Sequence, residues 1–125
     1  MRHLQPALAQ SKAWMVRIAK VDIDSVYLEP YKAAIQEHTQ AAVASEPGVL
    51  ALCSVHDKAN SALVTVFEVY ASKQAYEAHL KTPHFQKYKT GTLKMVKSLQ
   101  LVDVDPIALG QSRKCRQKIV AIKNN

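Results

Sequence analysis

Cysteines and long apolar runs are both scarce in this sequence. Only Cys53 and Cys115 occur among the 125 residues, and they form neither a C-x-x-C pair nor a metal-ligand spacing. Cys53 lies in an apolar segment, where we expect it to be a small buried hydrophobic residue. No run approaches the ~20 apolar residues of a membrane helix. The sequence therefore predicts no cysteine-based metal or redox motif and no membrane partner.

The body of the chain also lacks an excess of one charge, although the formal net charge is +7. Residues 15–105 contain ten basic and ten acidic side chains, so the whole excess lies in the two ends. Such ends are more often solvated than bound to anions, and so few phosphate contacts would bind weakly. We therefore expect no nucleic-acid partner. Length and pattern predict one folded domain at residues 15–106, between an N-terminal extension (1–14) and a basic tail (107–125).

A recognisable leader is missing from the start of the chain. Residues 7–9 (A-L-A) are similar to a signal-peptide cleavage site, but the apolar stretch before them is too short for a signal peptide. We therefore expect a cytoplasmic location. A periplasmic location would follow if these residues were the remnant of a trimmed leader.

Apolar periodicity and turn residues predict the element order β-α-β-β-α-β. Segments rich in apolar and β-branched residues predict strands at residues 15–23, 49–56, 63–70 and 98–104. A stripe of helical period predicts a helix at residues 28–44, which residues 46–48 (E-P-G) end. Ser72 and Thr82-Pro83 are N-terminal capping signals that predict a second helix broken in two. This order is typical of the ferredoxin-like α+β fold with an antiparallel four-stranded sheet.

The predicted strands are apolar at nearly every position rather than at alternate positions. Both faces of the sheet therefore need cover, and two helices can cover only one of them. A second copy of the chain is the simplest cover for the other face, so we predict a homodimer. Residues 118–123 (K-I-V-A-I-K) favour β structure and are suited to extend the sheet edge of a neighbour.

The same element order occurs in RNA-recognition modules, which stack bases on aromatic residues of the two central strands. Here the first strand contains no aromatic residue. The third strand lacks the basic-Gly-aromatic opening of the usual RNA-binding motif. The sequence excludes this module.

Two histidines and one carboxylate are the candidate catalytic residues. His38 lies on the apolar stripe of the first helix, and His79 lies on the apolar face of the second. Glu68 lies inside an apolar strand, where a carboxylate has to be paired, exposed at an edge or retained for use. If the three converge, a histidine is the base and Glu68 orients it or stabilises its charged form. The alternative for His38 is a hydrogen-bonded core residue without a catalytic role.

We assign Tyr70, His84 and Phe85 to substrate binding. Tyr70 shares a strand face with Glu68, so its phenol is placed either to donate to an oxyanion or to fill the core. His84 and Phe85 open the second half of the broken helix. Histidines and a carboxylate are also metal donors, but the sequence contains no i, i+4 histidine pair or dense cluster, so it predicts no metal site.

Three segments of residues 15–106 together form a recognisable pattern. A first helix with a histidine leads into residues 45–49 (S-E-P-G-V). The other two segments are residues 67–70 (F-E-V-Y) and residues 75–85 with their two histidines. Together they resemble the antibiotic biosynthesis monooxygenase (ABM) superfamily. This resemblance implies a dimeric α+β barrel with a pocket between each sheet and its helices.

The resemblance also implies a range of activities. Members include cofactor-independent monooxygenases of quinol-like aromatic substrates, quinol monooxygenases and an isomerase that processes phosphorylated autoinducer-2. We therefore expect an oxidoreductase that needs no cofactor and removes a proton from a small phenolic or quinol-type substrate, which then reacts with O₂. An isomerase of an enolisable metabolite is the alternative. Haem-degrading relatives use an Asn on the first strand, and residues 15–23 contain none.

A non-catalytic dimeric ligand-binding protein is the alternative from a different class, and one observation separates it from an enzyme. If Glu68, His38 and His79 line one enclosed pocket, catalysis is favoured. If Glu68 forms an ion pair with a neighbouring lysine and the histidines point apart, the binding protein is favoured.

Overall fold

A four-stranded antiparallel sheet with helices on one face forms the described part of the chain, residues 13–110 of the computed structural model. The strands are β1 (Met15–Ile23), β2 (Val49–His56), β3 (Leu63–Tyr70) and β4 (Val96–Val104). Their order in the sheet is β2-β3-β1-β4. The helices are α1 (Leu28–Ser45), α2 (Lys73–Leu80) and α3 (Pro83–Thr92), with 3-10 turns at Ser25–Tyr27 and Leu93–Met95. The predicted ferredoxin-like α+β fold is confirmed, and β4 begins two residues earlier than the sequence pattern indicates.

Side-chain caps explain why the second helical segment is broken. The Ser72 hydroxyl accepts a hydrogen bond from the backbone N–H of Ala75 at 3.1 Å, which starts α2. The Thr82 hydroxyl accepts from the N–H of Phe85 at 3.2 Å, and Pro83 occupies the first turn of α3. Each cap satisfies a backbone donor that the new helix leaves free. The break therefore directs α2 and α3 along different axes.

One face of the sheet is packed against the helices. Tyr31, Ile35, His38 and Ala42 are the buried residues of α1, and they recur at helical spacing. Tyr31 and Ile35 share a core cluster with residues from β1 and β3, including Val21 and Val66. This helix-covered face carries the cavity described below.

The turn between α1 and β2 is tightly packed. A Cβ atom at Gly48 would lie 2.6 Å from Cβ of Ala75, in the first turn of α2. The β2–β3 register shifts between Val49 and Ala51, which lets Val49 join Ala42 and Tyr70 in a second buried cluster. A residue without a side chain is therefore required at position 48 for α2 to approach.

The opposite face of the sheet has no helix over it in residues 13–110. Ile18, Phe67 and Cys53 are register partners on this face. Phe67 on β3 is 37% exposed. Val55 on β2, which points to the same face as Cys53, is 55% exposed. The prediction that Cys53 is buried is wrong, because the edge strand β2 leaves this side chain exposed. The uncovered apolar face agrees with the reasoning behind the homodimer, which stays a prediction.

No helix among the described residues is long and apolar enough to cross a bilayer. The predicted N-terminal extension, its leader-like residues 7–9, Cys115 and the β-prone residues 118–123 lie wholly or mainly outside the described residues. The domain boundaries and the location therefore stay predictions.

Candidate active site

A cavity of about 560 Å³ lies between the helix-covered face of the sheet and the helices. Its wall is mainly apolar and aromatic, and its polar groups include His38, Glu68 and His79. Leucines at its edge are more than half exposed, so the cavity opens to solvent beside β4: Leu93 (73%), Leu99 (56%) and Leu101 (51%). An apolar cavity with a few polar groups is typical of a small-molecule site.

A chain of hydrogen bonds runs from the cavity wall to the end of α1. His38 on α1 and His79 on α2 are 8% and 1% exposed, and their Nε2 atoms are 3.2 Å apart. Nδ1 of His79 is 2.8 Å from Oε2 of Glu46, the residue that ends α1. Nε2 of His84 on α3 is 2.5 Å from the same oxygen. Two histidines from different helices therefore share one carboxylate oxygen, and a third histidine continues the chain to the cavity.

The surroundings set the charge of two members of this chain. Burial opposes the ionisation of Glu46, but the hydrogen bonds from His84 and His79 outweigh it, so the pKa of Glu46 lies below its usual value. Burial lowers the pKa of His38 to about 4, and the neighbouring His79 and His84 act in the same direction. At neutral pH, Glu46 is therefore a carboxylate and His38 is uncharged.

The positions of the hydrogens follow from the carboxylate. An ionised carboxylate only accepts hydrogen bonds, so both His79 Nδ1–H and His84 Nε2–H donate to Glu46. In the uncharged form of the chain, Nε2 of His79 then accepts from Nε2–H of His38. Nδ1 of His38 is left with its lone pair. No described group bonds this Nδ1, and no buried polar atom of the described residues lacks a partner, so the atom has some solvent access; His38 lines both this cavity and a smaller neighbouring one.

Glu68 and Tyr70 form a second polar group in the cavity wall. The Tyr70 hydroxyl donates to Oε1 of Glu68 at 2.5 Å. Burial raises the pKa of Glu68 above its usual value, although the hydrogen bond from Tyr70 and the charge of Arg17 oppose this shift. Burial and the adjacent carboxyl group also raise the pKa of Tyr70. The pair therefore offers a cavity ligand a carboxyl oxygen in an apolar setting.

Aromatic rings fix the position of His38. Tyr88 stacks on the His38 ring, with centroids 4.8 Å apart and planes 22° from parallel. The Tyr88 hydroxyl is 2.7 Å from the Tyr31 hydroxyl, which anchors the stacked ring in the core. Phe85 meets the His38 ring edge to face at 5.9 Å. These contacts restrict the imidazole to the orientation in which Nε2 reaches His79.

The guanidinium of Arg17 also lines the cavity, and neighbouring side chains hold it in place. Nε of Arg17 donates to Asp103 at 2.9 Å, and a terminal nitrogen of Arg17 donates to the Tyr76 hydroxyl at 2.6 Å. The guanidinium carbon also lies 4.6 Å from the centre of the Tyr76 ring. Arg17 lies directly opposite Glu68 in the β1–β3 register. These contacts hold the positive charge beside the Glu68–Tyr70 pair.

The structure brings together five of the six residues that the sequence assigns to the site. The cavity is lined by His38, Glu68, Tyr70, His79 and Phe85. His84 is not part of its wall: it lies behind His79 and lines a second cavity of about 150 Å³. One expected contact also differs, because Glu68 bonds Tyr70 rather than a histidine. The Tyr70 hydroxyl, which we expected either to donate to an oxyanion or to lie in the core, donates to Glu68.

Glu46 is the functional candidate that the sequence pattern misses. It takes the orienting position that we expected of Glu68, since it accepts from both His79 and His84. Next to Pro47-Gly48 it has the pattern of an ordinary helix end. No signal near Glu46 in the chain shows its role, because the role arises only when His79 and His84 pack against the end of α1.

Comparison with known proteins places the chain in a family. The antibiotic biosynthesis monooxygenase family matches residues 15–91. A solved structure from Bacteroides thetaiotaomicron, provisionally named an antibiotic biosynthesis monooxygenase, is 42% identical with a TM-score of 0.79. The match covers 82% of this chain and 97% of that one. No curated protein is significantly similar to the chain.

Two further structures share the fold. A provisionally named monooxygenase from Lactobacillus acidophilus is 32% identical with a TM-score of 0.72, over 73% of this chain and 43% of that one. A protein from Caulobacter crescentus with an 18% identical sequence shares the fold, with a TM-score of 0.72 over 77% of this chain and 92% of that one. The family match and the Bacteroides relative each span most of the described domain, and the chain therefore belongs to the antibiotic biosynthesis monooxygenase family.

Proposed function

We propose that this protein is a cofactor-independent monooxygenase that oxidises a small phenolic or quinol-type substrate in the cavity between sheet and helices. The family and the names of its relatives support an oxidoreductase of the monooxygenase type. The observation that carries the finer proposal is the hydrogen-bonded chain from His38 through His79 to Glu46, which ends at an apolar cavity.

The chain is suited to accept a proton from a bound phenol. His38 alone would be a weak base, because burial disfavours its charged form. When Nδ1 of His38 takes the substrate proton, Nε2–H of the same ring passes its proton to Nε2 of His79. The positive charge then rests on His79, next to the Glu46 carboxylate. Such relay-assisted transfer is general base catalysis.

The substrate itself supplies the electrons for the oxidation. A phenolate carries its charge partly on a ring carbon, which reacts with O₂ in an environment with little water. The new C–O bond forms there, and the O–O bond then breaks. One oxygen atom stays in the product as a quinone carbonyl, and the other leaves as water together with the two substrate hydrogens. The borrowed proton returns from the histidine chain, so the step needs no external reductant.

The Glu68–Tyr70 pair has a supporting role in this proposal. A carboxyl oxygen of Glu68 accepts a hydrogen bond from the second hydroxyl of a quinol. This bond orients the quinol ring toward His38. The leucines at the cavity edge contact the apolar part of the substrate. A homodimer, which the uncovered sheet face favours, is the expected assembly.

Oxygen uptake tests this function directly. Metal-stripped protein is mixed in an oxygen electrode with a panel of hydroquinones and phenolic polyketide-like compounds. We expect uptake that falls by about 100-fold or more in His79→Ala, since general acid–base groups contribute about 10²–10⁴ in rate, and a smaller fall in Glu68→Gln, because Glu68 orients the substrate and glutamine keeps an acceptor oxygen. His56→Ala, an exposed histidine on β2, is the matched control and should keep full activity.

No uptake with any compound in the panel would contradict the monooxygenase. Exchange of substrate protons with D₂O without oxygen uptake, tested on enolisable sugars, would indicate an isomerase instead. Tight binding without either reaction would indicate a non-catalytic ligand-binding protein. Circular dichroism of each variant separates a loss of activity from a loss of fold.

A further inference from the structure

Three potential metal donors converge behind the cavity wall. Oε2 of Glu46, Nδ1 of His79 and Nε2 of His84 all lie within 4.8 Å of one another. In a tetrahedral zinc site with bonds of about 2.1 Å, ligand atoms are about 3.4 Å apart, so small side-chain movements bring these atoms to bonding positions. The three residues come from the end of α1, from α2 and from α3. The packing of the helices has therefore already brought the donors together.

The chemistry of these donors favours a divalent transition metal. Two imidazoles and one carboxylate suit Zn²⁺, Co²⁺ or Fe²⁺, whereas Ca²⁺ and Mg²⁺ prefer sets of oxygen ligands. The carboxylate is partly buried, with a side chain 14% exposed, and its hydrogen bonds in the described residues come from histidines alone. One cation would replace the two hydrogens that now occupy Oε2.

An outer layer of contacts and an access route are also present. Metal-bound histidines normally hold their second ring nitrogen in a hydrogen bond, and Nε2 of His79 already bonds His38. His84 lines the second cavity of about 150 Å³, together with the exposed side chains of Glu37 and Lys87. Of the three donors His84 lines this second cavity, so a metal ion that enters from this side meets His84 first.

We propose that Glu46, His79 and His84 bind a divalent transition metal such as Zn²⁺, and that this metal switches off His38 as a base. The second half of this statement rests on the proposed function. The first half stands on the geometry of the three donors.

The switch follows from where the hydrogens must lie. A metal on Nδ1 of His79 leaves the hydrogen of that neutral ring on Nε2, which then donates to Nε2 of His38. His38 must in turn carry its hydrogen on Nδ1. In the proposed function Nδ1 of His38 takes the substrate proton, and with the metal bound this atom is a donor instead of a proton acceptor. Metal-bound protein is therefore expected to bind phenols without deprotonating them.

Metal binding is measured first, without any reference to activity. Tag-free, metal-stripped protein is titrated with Co²⁺ and then with Zn²⁺, followed by visible absorption and equilibrium dialysis. We expect one ion per chain with a nitrogen–oxygen ligand spectrum. His84→Ala should weaken binding by more than about 100-fold, since loss of an outer-layer partner alone costs about 10–100-fold. His56→Ala should leave binding unchanged.

A second measurement uses the unmodified protein, so its result does not depend on whether a variant folds. Nitrogen NMR of the histidine rings should show Zn²⁺ on Nδ1 of His79 and on Nε2 of His84, with His56 unaffected. No binding, a sulfur charge-transfer band from the cysteines, or binding that both Glu46→Gln and His84→Ala leave intact would overturn the metal site.

Oxygen uptake then tests the switch separately. With a substrate that the metal-free protein oxidises, we expect Zn²⁺ to abolish uptake at the same concentration at which it occupies the site. Uptake that continues with the site filled would overturn the switch but not the site. Metal binding in a protein that oxidises no compound would leave the site established and contradict the monooxygenase instead.

Discussion

Glu46 contacts more of the candidate site's histidines than any other carboxylate of the described residues, so its replacement should affect the site most. Its Oε2 atom accepts from two histidines at once. In the proposed function, its charge also stabilises the proton that the chain accepts. Removing the charge while keeping the shape separates these effects from simple packing. Carboxylates that hold a histidine in one tautomer are positioning residues, because they act through the ring that they contact.

Glu46→Gln is therefore expected to lower kcat by about 100-fold or more, within the range of general acid–base effects. The buried histidines also lose a charged acceptor, and such hydrogen bonds contribute about 1.5–3 kcal/mol to the free energy of unfolding. Urea titration and steady-state oxygen uptake measure the two effects.

Glu37→Gln is the matched control on the same helix. Glu37 is exposed and pairs only with Lys87 at the surface, so this change should cost less than about 1 kcal/mol and leave kcat unchanged. Equal losses in the two variants would contradict the role given to Glu46.

Glu68 gives a pH dependence with a defined sign. Burial holds its pKa in the folded protein above the usual value of 4.5, so ionisation opposes folding. Its contribution to stability is fully present below pH 4.5 and is lost as pH rises through the raised pKa. Glu68→Gln keeps an oxygen for Tyr70 and removes this loss. We expect its Tm to exceed that of the parent at neutral pH and the difference to shrink in acid. A difference that grows in acid would contradict the shift.

Most of the site residues could be predicted individually, because the helix or strand period of the local sequence determines which face each side chain occupies. His38 and His79 fall on the buried stripes of their helices, and Glu68 and Tyr70 share a strand face by alternation. His84 could not be placed, since its position depends on the angle between α2 and α3. Glu46 was missed for a related reason: nothing near it in the chain shows which residues will pack against a helix end.

At the scale of elements, the break at Thr82 and the tight turn at Gly48 position the site. The break lets α2 deliver His79 and α3 deliver His84 to the same carboxylate. The turn lets α2 approach the start of β2 closely. Both features were visible in the sequence as capping and turn residues. Their consequence for the site was not, because it arises only when the elements pack.

Gly48→Ala tests the close approach of α2. The added Cβ would meet Cβ of Ala75 at 2.6 Å, so α2 has to shift. Overpacking of this kind costs about 1–3 kcal/mol, which urea unfolding measures. The shift should also lower oxygen uptake, because His79 moves with α2. The double change Gly48→Ala with Ala75→Gly removes the clash and should recover part of the loss.

Gly91→Ala is the opposite case in α3. An added Cβ there meets no atom within 4 Å, and alanine favours a helix over glycine by about 0.5–1 kcal/mol. We expect a small gain in the free energy of unfolding and no change in activity. A loss as large as that of Gly48→Ala would show that glycine flexibility, not the close contact, matters at both positions.

The whole molecule, as far as residues 13–110 describe it, has one face that carries the candidate site and one uncovered face. The helices, the cavity and the histidine chain lie on one side of the sheet. Register partners such as Ile18 and Phe67 form an apolar surface on the other. The sequence predicts this surface, since the strands are apolar at nearly every position. What covers it depends on a second molecule, and a single chain does not carry that information.

A homodimer through this face is the expected arrangement. Phe67→Lys places a charge on the surface, and we expect it to convert a dimer into a monomer in light-scattering chromatography. Val26→Lys is the control, because Val26 is 74% exposed on a 3-10 turn away from this face. A parent protein that elutes as a monomer, or a Phe67→Lys variant that stays dimeric, would contradict the arrangement.

The most direct test of the account is whether the protein ionises its substrate before oxygen is present. A hydroquinone that supports oxygen uptake is mixed anaerobically with metal-stripped protein below the pKa of the free phenol, and the ultraviolet difference spectrum is recorded. We predict the spectrum of bound phenolate, its absence in Glu46→Gln and its decay when O₂ is admitted. A phenol that binds but stays protonated, or that ionises equally in Glu46→Gln, would contradict the histidine chain as the base.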